Sequence, residues 1–302
     1  MEPRIFSVEK SSTGKRKYIV SNLGRFLQYY WRDKDPRSRH YYELIREGTP
    51  ARLYFDLEFC KKANPHITIS QSETLMTEFI QELSTEFHLI FGIQIDRSCI
   101  VDLDSSTEKK FSRHLIIHLP NGELFADACA AGVFVKRFIG RLAEDLSTGM
   151  LVSRRTTLAQ HLFVNSQASK TKETASTESD ESKAVRPTNE FNNKKVTCFV
   201  DLGVYTRNRL FRLMGSMKYG KPASAALRIA DVNEFQFPAG FDNSRFYLDD
   251  QTHPVDANIK FPDPSDSCDG AQTCKQETSS TVRLKPVETS LVQLVNFAIP
   301  HI

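Results

Sequence analysis

Residues 53–59 read LYFDLEF, an apolar run into which two acids are set two positions apart. Successive side chains of an extended chain point to opposite faces, so Asp56 and Glu58 leave the same face of a strand. Two carboxylates inside an apolar run repel one another and lose solvation, a cost that a bound Mg²⁺ or Mn²⁺ offsets. The exposed face of an antiparallel strand also accommodates paired acids with no ligand, so the motif alone leaves both readings open.

The strand needs neighbours, and the flanking sequence supplies them. Strand patterns at 4–8 and 16–20 flank the turn around Gly14 and predict a hairpin. Asn22 caps a helix that carries Phe26, Tyr29 and Tyr30 on one side. Strands follow at 41–45 and 52–59, then a helix over 70–91 by the spacing of Leu75, Phe79, Leu83 and Phe87. Strands at 99–103 and 111–119 precede a helix over 130–146. From 153 to 195 the composition turns to Ser, Thr, Lys and Glu and predicts a disordered insertion. Strand character returns at 195–200, the patch RLFRLM follows, and a polar linker succeeds Leu248. The fold class expected is α+β.

Two further motifs bear on chemistry. In DSSTEKKFSRHLIIHL, Lys110, Ser112 and His114 share one strand parity and together make a phosphate grip. Ser-x-His pairs also arise by chance, and His118 has the same parity and is the foremost false positive. In CFVDLGVYTRNRLFRLMGSMKYGK, Asp201 ends an apolar strand and is followed by Arg207, Arg209, Arg212, Lys218 and Lys221. A net charge of only +3 over 302 residues thus conceals a local basic cluster. Nucleotidyl transfer needs a third carboxylate beside such a cluster, whereas a solvated basic hairpin needs no ligand. Strand parity puts Arg209 and Arg212 on opposite faces unless a bulge intervenes.

Taken in order, LYFDLEF, FSRHLI and FVDLGVYTRNRLFRL resemble the eukaryotic primase-polymerases of the archaeo-eukaryotic primase superfamily, and IFSVEK, HYYELI and LDSSTEKKFSRHLI extend the resemblance. It implies an N-terminal αβ module beside a catalytic module with an RRM-like sheet. On that pattern Asp56, Glu58 and Asp201 bind catalytic Mn²⁺ or Mg²⁺. Arg16, Lys110, Ser112, His114, Arg209, Arg212 and Lys218 match residues that grip the incoming nucleotide, and Tyr42 matches an aromatic that senses its sugar. The implied organisation is an N-terminal module over 1–48, a catalytic module over 49–152 and 196–260 interrupted by the insertion at 153–195, and a linker with a terminal fragment over 261–302.

The resemblance further implies template-dependent nucleotidyl transfer in primer extension and in damage-tolerant or repriming synthesis. Partners would be single-stranded DNA template, primer, dNTP or NTP, and single-stranded-DNA-binding proteins reached through a further C-terminal region. Location would be nuclear and mitochondrial. Relatives carry a C-terminal zinc module, and Cys268 and Cys274 are separated by five residues without a partner pair, so no zinc is expected in this chain and a truncated form is. Neither a signal core nor a membrane span is expected. The alternatives are a non-catalytic single-stranded nucleic-acid-binding module and a metal-dependent nuclease.

Overall fold

The computed structural model describes residues 3–166 and 195–237. In chain order the elements are strands β1 (Arg4–Glu9) and β2 (Arg16–Ser21), helix α1 (Leu23–Gln28), strands β3 (Tyr41–Ile45) and β4 (Leu53–Cys60), helix α2 (Ile69–Phe91), strands β5 (Ile100–Asp104) and β6 (Lys110–Ile117), helices α3 (Ala128–Ser147), α4 (Met150–Arg154) and α5 (Thr156–His161), and strands β7 (Phe163–Asn165), β8 (Val196–Cys198), β9 (Arg209–Arg212) and β10 (Arg228–Ile229). Helices and antiparallel sheets are mixed, an α+β fold. Two compact units are present, neither contiguous in sequence. The first holds residues 3–44, 212–228 and 236–237, and the second holds 45–166, 195–211 and 229–235. The segment 212–228 therefore belongs with the N-terminal residues and not with the later part of the expected catalytic module.

In the first unit β1 pairs antiparallel with β2 from Arg4↔Ser21 to Glu9↔Arg16, and β3 pairs with the other edge of β1. Asn22 Oδ1 accepts from the Arg25 backbone N–H at 2.8 Å, which satisfies one of the free donors at the start of α1. Phe26 then stacks on Phe6, and Leu23, Leu27, Tyr30 and Tyr41 complete one buried cluster. The Tyr30 hydroxyl bonds Met214 O and Ser216 Oγ at 2.8 and 2.6 Å, so the returning segment is held by buried polar contacts as well as by burial.

The second unit is built on β4. Its sheet runs β10-β5-β6-β4, with β4 and β6 antiparallel from Leu53↔Ile117 to Cys60↔Lys110. A capping box, in which Thr68 and Gln71 bond each other's backbone N–H, starts α2, and Gly92 ends it in the left-handed conformation. The apolar stripe of α2 lies on the odd-numbered face of β4: Phe79 meets Phe55 at 5.3 Å, Phe138 of α3 at 5.5 Å and Phe199 at 5.4 Å between ring centroids. Asp56 and Glu58 occupy the opposite face, which is what the strand period demands.

The expected disordered insertion begins too early at 153. Arg154 bonds Glu82 and Asp145, Arg155 lies 3.3 Å from Glu82, and Leu158, Leu162 and Val164 are buried, so α5 and β7 belong to the folded unit. Glu82 is itself buried, and Arg154 and Arg155 add to its pairing with Arg141 at 3.3 Å. The remainder of that insertion and the expected linker after Leu248 lie outside the described residues.

One glycine sets a close approach. A Cβ on Gly132 of α3 would meet Tyr205 Cβ at 2.4 Å, and Tyr205 in turn donates its phenol to the Tyr54 carbonyl. Gly132→Ala is therefore expected to lower stability by about 1–3 kcal/mol through overpacking. Urea denaturation with an unchanged midpoint would show that the Tyr205 loop simply moves aside.

Candidate nucleotidyl-transfer site

The β4–β6 register brings two of the sequence motifs together in the second unit. Asp56 pairs with His114, Glu58 with Ser112 and Cys60 with Lys110, so all these side chains share the face opposite the helices. His114 Nε2 lies 3.7 Å from Asp56 Oδ1, and the Lys110 ammonium is in direct contact with Glu58 Oε2. Ser112 accepts a hydrogen bond from the Ser105 hydroxyl at 3.0 Å. Ser112 and His114 are both only 3% exposed, so of the expected phosphate grip Lys110 alone reaches solvent in this arrangement. Phe211 packs beside His114, with ring centroids 4.6 Å apart.

The third acid arrives through backbone pairing. Glu58 N–H donates to Phe199 O at 2.8 Å and Asp201 N–H to Asp56 O at 2.9 Å, which lays 199–201 along the edge of β4. Asp201 Oδ1 then accepts from Gly203 N–H at 2.8 Å. Burial, followed by the charges of Tyr54, Asp56 and Asp201, pushes the Tyr205 phenol far above its ordinary range, so both acids lie close enough for their fields to reach one ring. Arg209 lies near Tyr54, and its Nε makes no hydrogen bond.

The other expected residues lie in the first unit. Glu9 gathers them: its Oε1 accepts from Arg16 at 3.2 Å, and its Oε2 accepts from the Tyr42 hydroxyl and from Tyr219 N–H, both at 3.0 Å. The Arg16 guanidinium sits 5.1 Å over the Tyr42 ring. Burial first, then the charge and hydrogen bond of Glu9, push the Tyr42 phenol up to about 12, while Arg212 and Arg16 oppose the shift. Arg212 donates to Ala225 O at 3.3 Å, and Lys218 is exposed in the loop before Tyr219. Arg209 and Arg212 thus have different surroundings, as the parity of an unbroken strand requires. Glu9 was not among the residues singled out from sequence; the observed hairpin register, centred between Ser12 and Thr13, places it opposite Arg16. His118 packs on Phe235 with centroids 4.9 Å apart, beyond the last residue of β6.

The donor chemistry at Asp56, Glu58 and Asp201 fits a hard divalent cation, since all three offer carboxylate oxygen. Their side chains are not drawn together: among the described residues no group of three or more His, Cys, Asp and Glu is placed to hold a metal. In this arrangement the Lys110 ammonium meets Glu58 and the Gly203 N–H meets Asp201. Lys110→Met is therefore expected to strengthen binding of Mn²⁺ alone and to weaken binding of nucleotide. Titration of free Mn²⁺ by electron paramagnetic resonance checks the first part, and weaker Mn²⁺ binding would contradict it.

No family model matches the chain. It is similar to proteins named DNA-directed primase/polymerase protein from three vertebrates. Identity is 34% over 235 residues with that of Danio rerio, covering 76% of this chain and 42% of the relative. It is 32% over 295 residues with that of Bos taurus, covering 87% and 50%, and 30% over 289 residues with that of Homo sapiens, covering 86% and 49%. The chain belongs to the DNA-directed primase/polymerase family. This primase/polymerase chain spans about half the length of the curated relatives it matches. Matches over 76–87% of it exceed either compact unit, so both units carry the family relation.

Proposed function

We propose that the chain is the catalytic core of a DNA-directed primase/polymerase, adding nucleotides to the 3′ end of a primer on a single-stranded template. The observation that carries this reading is the β4–β6 register, which aligns Asp56 and Glu58 with His114, Ser112 and Lys110 on one face, with Asp201 bonded alongside. The order β4-α2-β5-β6-α3 followed by the edge segment 199–201 supports an RRM-like module of the archaeo-eukaryotic primase kind. Acids alone would repel a triphosphate, and acids beside cations accommodate one when metal is bound.

Asp56, Glu58 and Asp201 would hold Mg²⁺ or Mn²⁺, which supplies charge neutralisation at the reacting phosphoryl group. Lys110, released from Glu58, would then turn its ammonium to the triphosphate, with Arg209 as a second cation. His114 beside Asp56 would orient that carboxylate and donate to a phosphate oxygen when protonated. Within the first unit, Arg16, Arg212 and Lys218 would offer cations to nucleotide phosphate, and Tyr42 would meet a sugar. Extension of a labelled primer on a single-stranded template, with and without metal, tests the reading. Metal-dependent lengthening supports it; binding without product would indicate a non-catalytic module, and primer shortening a nuclease.

Glu9 acts here through Tyr42. Glu9→Gln is expected to loosen the Tyr42 ring and change the ratio of deoxynucleotide to ribonucleotide incorporation, and Tyr42→Phe to change it in the same direction. The double variant should add little beyond Tyr42→Phe, because the Tyr42–Glu9 hydrogen bond that Glu9→Gln weakens is already absent once the Tyr42 hydroxyl is gone. Fully additive effects would separate the two residues.

A further inference from the structure

The first unit contains a cavity of about 540 Å³ that adjoins the Tyr42 cluster and shares Glu9 and Tyr219 with it. Lys10, Lys34, Arg37 and Lys221 line it, and so do His40 and Tyr219. Glu9 is also in its wall, but both carboxylate oxygens are engaged by Arg16, Tyr42 and the Tyr219 N–H, so the lining presents cations. Three separate chain segments form the cavity and are pinned to each other: Glu9 N–H donates to His40 O at 2.9 Å, Met217 N–H to Arg39 O at 2.9 Å, and His40 Nδ1 bonds Met217 O at 3.1 Å. A carbonyl only accepts, so His40 carries its proton on Nδ1 there. The Lys34 ammonium is held 4.8 Å over the Tyr29 ring, which restricts its motion. Tyr219 is 41% exposed and stands beside the His40 ring at 5.1 Å, an aromatic surface at the edge of a basic hollow.

We infer that this cavity binds one nucleotide of a single-stranded nucleic acid, with its phosphates on Lys34, Arg37 and Lys221 and its base on Tyr219. Cations together with an accessible ring are what single-strand sites combine, since the strand supplies charge at each phosphate and a π-face at each base. A duplex keeps its bases stacked inside and cannot lay one against a concave wall, whereas a single strand turns its bases outward. Walls fixed by backbone hydrogen bonds lower the ordering cost of binding. The inference deepens the reading above by giving the template strand a path in the first unit, and it rests on that reading only for the origin of the strand.

The test is fluorescence anisotropy of a labelled single-stranded oligothymidylate with the full chain, compared with Lys34→Glu/Arg37→Glu/Lys221→Glu and with Tyr219→Ala. The triple variant should lose at least about tenfold in affinity, and its plot of log affinity against log salt should flatten by about 1.4, from roughly 0.7 for each of the two phosphates that flank one nucleotide. Tyr219→Ala should lose about tenfold with the salt slope kept, because stacking releases no counterions. Binding of dTTP with Mn²⁺, measured by calorimetry on the same proteins, should be unchanged. Unaltered DNA affinity in both variants would overturn the inference, as would equal losses of DNA and dTTP. Loss in the triple variant with none in Tyr219→Ala would also overturn it, pointing to a site for acidic peptide or free phosphate. Since anisotropy needs no turnover, a chain that bound DNA through this cavity and never extended a primer would sink the proposed function and leave the cavity standing.

Discussion

Alanine at Asp56 or Glu58 should reduce primer extension by at least about a thousandfold while the folded state persists. Neutralising charge at a reacting phosphoryl group is worth several kcal/mol, and each 1.36 kcal/mol is tenfold in rate, so losing one cation-holding carboxylate costs about three decades or more. Stability follows a different balance. Glu58 and its partner Lys110 are each more than a third exposed, and an ion pair of that kind contributes little. Asp56 lies 3.7 Å from His114 but also one strand step from Glu58, whose charge repels it. The melting temperature of either variant should therefore stay level or rise. Asp56→Asn is the sharper comparison, because it keeps the side-chain shape and removes only the charge. Extension at ordinary metal concentration by any of the three variants would remove this pair from the reaction. A large drop in melting temperature would instead show that the acids hold the strand in place.

Much of this arrangement was legible from strand parity alone. The period of two put Asp56 with Glu58, and Lys110 with Ser112 and His114, on sequence alone, and the antiparallel register then set the acid pair against that trio. Parity also separated Arg209 from Arg212, and that separation stands. Local patterns could not show how far each side chain would be buried. Ser112 and His114 are covered because neighbours distant in sequence, Ser105 and Phe211, come to rest on them. The folded stretch after 153 was missed for a related reason. Helices of five and six residues have too few turns to display a period, and what holds them is the contact of Arg154 with Glu82, 72 positions away. Glu9 was missed as well, since a turn placed at Gly14 counts it across from Ile19, and only the observed register sets it opposite Arg16. Its second oxygen, shared by Tyr42 and the Tyr219 N–H, also required the fold.

The residue between Ser112 and His114 should be the most costly to lose for stability. Arg113 faces the other side of β6, where Nε and Nη2 form a two-pronged contact with Asp102 at 2.9 and 2.8 Å and Nη1 meets Glu73 at 3.0 Å. The Arg113 and Asp102 side chains are 5% and 3% exposed. Burial alone would lower the Arg113 pKa, but the hydrogen bonds and charge of Asp102, with Glu73 behind them, outweigh it and hold the guanidinium above its ordinary range. Asp102 is also fixed through its backbone, donating to Asn233 Oδ1 at 3.0 Å and accepting from Ala230 N–H at 2.9 Å, so one ion pair joins β5, β6, α2 and the segment 229–235. Arg113→Met fills similar space but leaves the Asp102 carboxylate buried without its partner, and a loss of about 3–5 kcal/mol is expected. Urea denaturation of the full chain measures it. Arg113→Met with Asp102→Leu should recover most of that loss, because an apolar pair of matched volume carries no desolvation cost. A single variant within about 1 kcal/mol of the parent would mean that water or a moved cation reaches Asp102. A double variant no more stable than the single one would place the penalty in lost packing of the guanidinium rather than in the stranded charge. Primer extension on the double variant then separates support from chemistry: if Arg113 serves only to hold β6, extension should return along with stability, since Ser112 and His114 on the opposite face are untouched.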